Sequence, residues 1–250
     1  MTQSGDCVLR LWFVLALVLG AQCSRVEATC VDPSALVRST VGITRMFDGQ
    51  ERQPDAGLLG IRATAWFLSP TFMVTAEHVA AAMRLSDGSW SRVGIAGGEN
   101  QRSFGVRVVR VAGAHTERIA VLELQTPFLE AESLPIRVEP LAPEERVVSL
   151  AYPSNRLRFA HGRFVEYDGY KLAGTALLEM YDGDDRLVLD HGASGAPVLD
   201  CQGRVVAVVS NLFTQTMQFL SNPIRVSTAW GQANVASVPI QVLKDIALTK

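Results

Sequence analysis

Gly192-Ala193-Ser194-Gly195-Ala196-Pro197-Val198 holds a serine between glycines, a setting in which backbone amides can approach a ligand closely and adopt conformations that a Cβ resists. Such a segment suits a nucleophile turn. A tetrahedral intermediate needs donors aimed at its oxygen, and here the N–H groups of Gly192 and Ser194 would form that oxyanion hole. A glycine-rich β-turn with no chemistry reads the same way. A serine hydroxyl is a poor nucleophile until an imidazole takes its proton, so the segment demands a histidine elsewhere in the chain. The run from Ala65 to Val79 supplies one, His78, directly after two apolar strands. A histidine in that place also serves structural ends. His115, His161 and His191 lack comparable context.

These residues need a scaffold, and the chain around them has the rhythm of β structure. The first set of expected strands is Val41 to Phe47, Ile61 to Ser69, Phe72 to Thr75, Arg92 to Ala96, Phe104 to Ala112 and Ile119 to Leu124. The run from Phe104 to Val111 alternates as a strand with one buried face does. A second set follows the polar, proline-bearing stretch from Gln125 to Pro143. It comprises Arg146 to Tyr152, Arg158 to Tyr167, Gly174 to Tyr181, Ala196 to Leu199, Arg204 to Ser210 and Arg225 to Trp230. Two groups of about six short strands suit two antiparallel barrels better than a doubly wound α/β sheet. Helix is expected only briefly, at Ala80 to Met83 and as a short C-terminal helix from Ile240 to Ala247 after Pro239.

Together the two chemical segments resemble the trypsin and chymotrypsin superfamily of serine peptidases, specifically its secreted bacterial branch. Thr75-Ala76-Glu77-His78 is similar to the family's Thr-Ala-x-His. Gly192 to Pro197 is similar to its Gly-x-Ser-Gly-Gly-Pro, with Ala196 in place of the second glycine. The resemblance runs from about Val41 onward. It implies two six-stranded barrels with the active site in the cleft between them, His78 from the first as general base and Ser194 from the second as nucleophile. The acid departs from the family pattern. It normally stands directly before an Ile-Ala-Val-Leu type of strand, and here Ile119-Ala120-Val121-Leu122 follows Arg118. Glu117, one residue away, is the carboxylate that could orient His78; it reads equally as an exposed glutamate. By the same resemblance Val188 would form the base of the first substrate pocket, with Ser210, Asn211 and Leu212 lining its side and pairing with substrate backbone. An uncharged base favours a small or aliphatic residue before the cleaved bond. The implied activity is endopeptidase cleavage through an acyl enzyme. A catalytically decayed binding protein on the same scaffold is the alternative, motivated by Arg118 and Ala196.

Composition agrees with a globular exported protein. The chain has 250 residues, 48% of them hydrophobic, enough for a real core. Lys plus Arg number 23 against 25 Asp plus Glu, so charge gives no reason to expect nucleic acid or an anionic membrane as partner. The partner expected is a protein or peptide substrate, with no cofactor and no metal, since metal-ligand spacings are lacking. Arg10 before the apolar run Leu11 to Ala21, with Val26-Glu27-Ala28 after it, reads as a cleaved signal peptide over 1–28. An apolar run this short falls below the ~20 residues a membrane span needs. The expected units are therefore 1–28, a first barrel over 29–130 and a second barrel with the terminal helix over 131–250. The mature protein is expected to be a secreted or periplasmic monomer without stable membrane association. Of four cysteines only Cys30 and Cys201 survive cleavage, and in an oxidising compartment they are the natural disulfide, although two buried free thiols remain the other reading.

Overall fold

The computed structural model describes residues 30–48, 59–97, 100–113, 118–153, 156–168, 174–183, 189, 191–212 and 233–244. Strands β1 (Thr40–Met46), β2 (Gly60–Phe67), β3 (Phe72–Ala76), β4 (Ser91–Gly97), β5 (Asn100–Ala112) and β6 (Ile119–Leu124) close into an antiparallel barrel in the order β1-β2-β3-β6-β5-β4. The second barrel repeats that order with β7 (Arg146–Ala151), β8 (Arg158–Asp168), β9 (Thr175–Tyr181), β10 (Pro197–Asp200), β11 (Val205–Leu212) and β12 (Val235–Pro239). The expected all-β class with two six-stranded barrels is therefore the observed one.

Alternating side chains sort the apolar runs into three large cores and one small cluster around Leu177. Met73, Leu122, Val41, Ile43 and Phe67 fill the first barrel. Val198, Val209, Phe164, Leu178 and Met180 fill the second. Their sequence neighbours Val74, Val121, Leu199 and Val208 point the other way and meet Trp66, Leu150 and Val238 in a third core between the barrels. Strands at the junction are thus buried on both faces, which is why Ala63 to Phe67 of β2 and all of β10 are buried without alternation.

Three expectations need correction, and a fourth falls outside the described residues. The strand expected over Arg225 to Trp230 lies outside the described residues, and the sixth position of the second barrel is filled by β12. The terminal helix is one 3₁₀ turn, Ile240–Leu243, packed by Ile240 and Leu243 into the third core; the remainder of its expected span is not described beyond Lys244. The alternation of β5 is broken at a bulge between Val108 and Arg110, where Val109 is exposed, as is Val111 beyond it. The brief helix expected at Ala80 to Met83 begins earlier, as α1 (Glu77–Ala82).

The stretch between β6 and β7 is stitched to both barrels. Leu134 N–H donates to Phe67 O at 3.0 Å, and Val205 N–H donates to Pro135 O at 2.7 Å. A disulfide joins Cys30 to Cys201, as the cysteine count anticipated. No helix among the described residues is long and apolar enough to cross a membrane.

Candidate active site

His78 is the second residue of α1, whose buried Val79 and Ala80 anchor the helix on the first barrel and leave the imidazole at the exposed rim. The β3–β6 ladder ends at Ala76 opposite Ile119, and one further bond follows, from Glu77 N–H to Arg118 O at 2.9 Å. Arg118 thus stands beside α1. Its guanidinium lies 3.3 Å from the Glu77 carboxylate, an ion pair formed at the residue just before His78. Glu117 lies outside the described residues, as do Val188, Asp190 and His115.

Ser194 sits in the second barrel on a turn shaped by two glycines with positive φ, Gly192 at 100° and Gly195 at 91°. Gly195 is required for a second reason. A Cβ there would stand 2.1 Å from Thr64 O and 2.2 Å from Thr75 Oγ1, so the turn presses its backbone against β2 and β3. Thr75 is three residues before His78. The two candidate segments, remote in sequence, are therefore brought together through Gly195.

Most carbonyls of the turn are engaged, as are the N–H groups of Gly195 and Ala196. Gly195 N–H donates to Val209 O at 2.8 Å, Val209 N–H to Ala196 O at 2.9 Å, and Ala196 N–H to Ala193 O at 2.9 Å. Ser194 O accepts from Thr64 N–H at 3.0 Å, and Gly192 O accepts from Thr64 Oγ1 at 2.7 Å. The N–H groups of Gly192, Ala193 and Ser194 make no hydrogen bond among the described residues. The half-buried Ser194 hydroxyl donates to Ser210 O at 3.2 Å, a length at which an O–H bond is weak and easily surrendered.

Ser210 is buried and sits at a bulge, where the β11–β12 register steps from Val209 opposite Ser237 to Asn211 opposite Ala236. β10 pairing stops at Pro197 opposite Val208, while β12 pairing runs on to Leu212. Residues 210–212 therefore keep one strand edge without a β10 partner. Beside the turn lies a cavity of about 540 Å³ lined by Met46, Leu59, Gly60, Arg62, His191 and Gly192. The sequence reading overlooked Thr64. Its one signal is a polar residue inside the buried run Ala63 to Phe67.

The model of the trypsin-like peptidase domain matches residues 63–208, more than half of the chain. The chain belongs to the trypsin-like peptidase family. A search of curated proteins by sequence finds no match. Among solved structures, this trypsin-like chain is similar to the protease Rv3671c from M. tuberculosis in its active form. The TM-score is 0.54 at 19% identity, covering 89% of this chain and 90% of that one. The inactive form of a serine-to-alanine mutant of the same protease gives a TM-score of 0.56 at 18% identity, with 87% and 90% covered. An inactivated protease paralogue of the scabies mite gives 0.58 at 13%, with 86% and 92% covered. At these identities the solved structures share the trypsin-like fold alone.

Proposed function

We propose that the protein is a serine endopeptidase with Ser194 as nucleophile and His78 as general base. The observation that carries this reading is the Ser194 turn, whose hydrogen bonds leave the Gly192 and Ser194 N–H groups, with that of Ala193 between them, unengaged among the described residues. Ser194 Oγ attacks the peptide carbonyl carbon and its proton passes to His78. The oxyanion is held by the two N–H groups. Collapse breaks the C–N bond, His78 returns the proton to the leaving amine, and water then hydrolyses the acyl ester by the same base. Residues 210–212 pair with substrate backbone as an added strand, and Val188 gives the first pocket an uncharged base suited to small or aliphatic side chains. Glu117 is the acceptor for His78. Residues 1–28 act as an export signal of a secreted bacterial-type enzyme, and the Cys30–Cys201 bridge suits the oxidising compartment beyond it.

A second reading, a decayed binding protein, is favoured by the Arg118–Glu77 ion pair standing where the family has its acid. The inactivated protease paralogue of the scabies mite shares this scaffold, which can thus lose activity. Labelling with a fluorophosphonate separates the two. We expect native protein to be labelled and Ser194→Ala and His78→Ala to resist. Absence of labelling in a folded native protein would support the binding reading. Glu117→Gln should then lower turnover by about two to four orders of magnitude with folding retained, because the acid holds the imidazole tautomer. Unchanged turnover would point to a dyad.

A further inference from the structure

A threonine in a strand buried on both faces must find partners for its hydroxyl, and Thr64 of β2 finds both across the barrel junction. Its Oγ1 accepts from Tyr152 N–H at 2.9 Å and donates to Gly192 O at 2.7 Å. The first bond occupies an acceptor site and thereby aims the hydroxyl proton at Gly192. The main chain of Thr64 adds two more bonds, N–H to Ser194 O at 3.0 Å and C=O from Thr75 Oγ1 at 2.8 Å. One residue of the first barrel thus holds the turn of the second at two carbonyls.

Those carbonyls matter because of where they lie relative to the candidate oxyanion donors. Gly192 N–H belongs to the peptide before Gly192 and Ser194 N–H to the peptide after Ala193. The carbonyl bound by the Thr64 hydroxyl belongs to the peptide between them. Gly192, without a Cβ and at φ 100°, gives that peptide little rotational restraint of its own. Ala193 O and Ser194 O are held by backbone N–H groups, whereas Gly192 O is held by a side chain.

We infer that Thr64 is a positioning residue for the oxyanion hole, its hydroxyl locking the peptide that links the two donors. Because the lock comes from the opposite barrel, the hole is set only when the barrels are docked. This inference rests on the peptidase reading of Gly192 and Ser194. It differs from that reading in assigning the geometry of the hole to a side chain on the far side of the cleft.

Thr64→Val keeps the shape and removes the hydroxyl; Thr64→Ser keeps the hydroxyl and removes the methyl. Loss of a direct oxyanion donor costs about 10²–10³ in kcat, so loss of its positioning should cost about 10–100-fold. We expect Thr64→Val to lose that much kcat with KM within about threefold, and Thr64→Ser to stay within about threefold in both. The amide resonances of Gly192, Ala193 and Ser194 should move in Thr64→Val and remain near native in Thr64→Ser. Native-like kcat and resonances in Thr64→Val would overturn the inference. So would a tenfold loss of kcat in Thr64→Ser, which would assign the effect to methyl packing; that arm decides the matter if Thr64→Val does not fold. If native protein is neither active nor labelled, the peptidase reading fails by itself. The lock is then judged on the resonances, and unmoved resonances in Thr64→Val would refute it.

Discussion

Ser194 and Gly195 are adjacent but face opposite constraints, one holding its side chain toward Ser210 and the other having no room for any. A methyl at Gly195 would meet a backbone carbonyl and a buried threonine oxygen, neither of which can retreat without breaking the bond between Thr75 and Thr64. Gly195→Ala should therefore destabilise the fold by about 2–4 kcal/mol, combining positive-φ strain with the clash. Denaturant unfolding checks this, and a loss below about 0.5 kcal/mol would show that the barrels separate to accommodate the methyl. The glycines and serine were legible in the sequence because their requirement is local: a turn with positive φ selects glycine wherever it stands. Thr64 was not legible because its partners are 88 and 128 residues away, and nothing within β2 distinguishes a threonine that bridges two barrels from one satisfied at home. Arg118 was legible as a departure from the family pattern, while its pairing with Glu77 appears only when β6 lies against the start of α1.

Strands were easier to read than their endings, and the reason is visible in particular elements. β6 has the span expected of it, since its apolar run meets polar residues at both ends. β12 was missed because Val235-Ala236-Ser237-Val238-Pro239 is short and closes on a proline, and its burial comes from β9 and β11 rather than from its own pattern. The bulge in β5 against β6 has a counterpart in β11 against β12, the same step of the repeated order, and the second one places Ser210 under Ser194. The β10–β11 turn shows a different element-level device. Asp200 is buried there, accepting from the N–H groups of Gln202 and Arg204 and from the Arg204 guanidinium, with Arg137 3.4 Å away. Burial alone would raise its carboxyl, but these donors outweigh it and hold the group below its ordinary value. The Arg137 guanidinium likewise lowers Glu145 against the effect of burial. Both groups bind protons more readily unfolded than folded. Their stabilisation is thus present above about pH 4.5 and is lost as pH falls through the folded values. We expect the unfolding midpoint to drop between about pH 5 and 3, and Asp200→Asn to flatten that drop while lowering the midpoint at neutral pH. A slope unchanged in Asp200→Asn would show that other carboxylates govern acid stability.

At the scale of the whole molecule, two barrels of equal strand order are joined by a third core, by the linker and by a disulfide spanning 171 residues of sequence. Closing a loop of that length removes much freedom from the unfolded chain, so Cys30→Ser with Cys201→Ser should lower stability by about 2–5 kcal/mol. A shift in denaturant midpoint with the slope read alongside it measures this, and an unchanged midpoint would assign the docking to the third core alone. The barrel pair was legible as two clusters of strands, yet the core between them was not, because it is built from the second faces of strands whose first faces already account for their apolar character. The bridge also sets an order of events in time. Cys30 is synthesised well before Cys201, and at about 5–20 residues per second the interval is of the order of 10–30 s. Through that interval the earlier thiol has no native partner, and by its end every strand of the first barrel has been made. Covalent closure is therefore a late event that records completion of β10, and a pulse-labelled chain trapped with an alkylating agent should carry a free Cys30 until that strand has emerged.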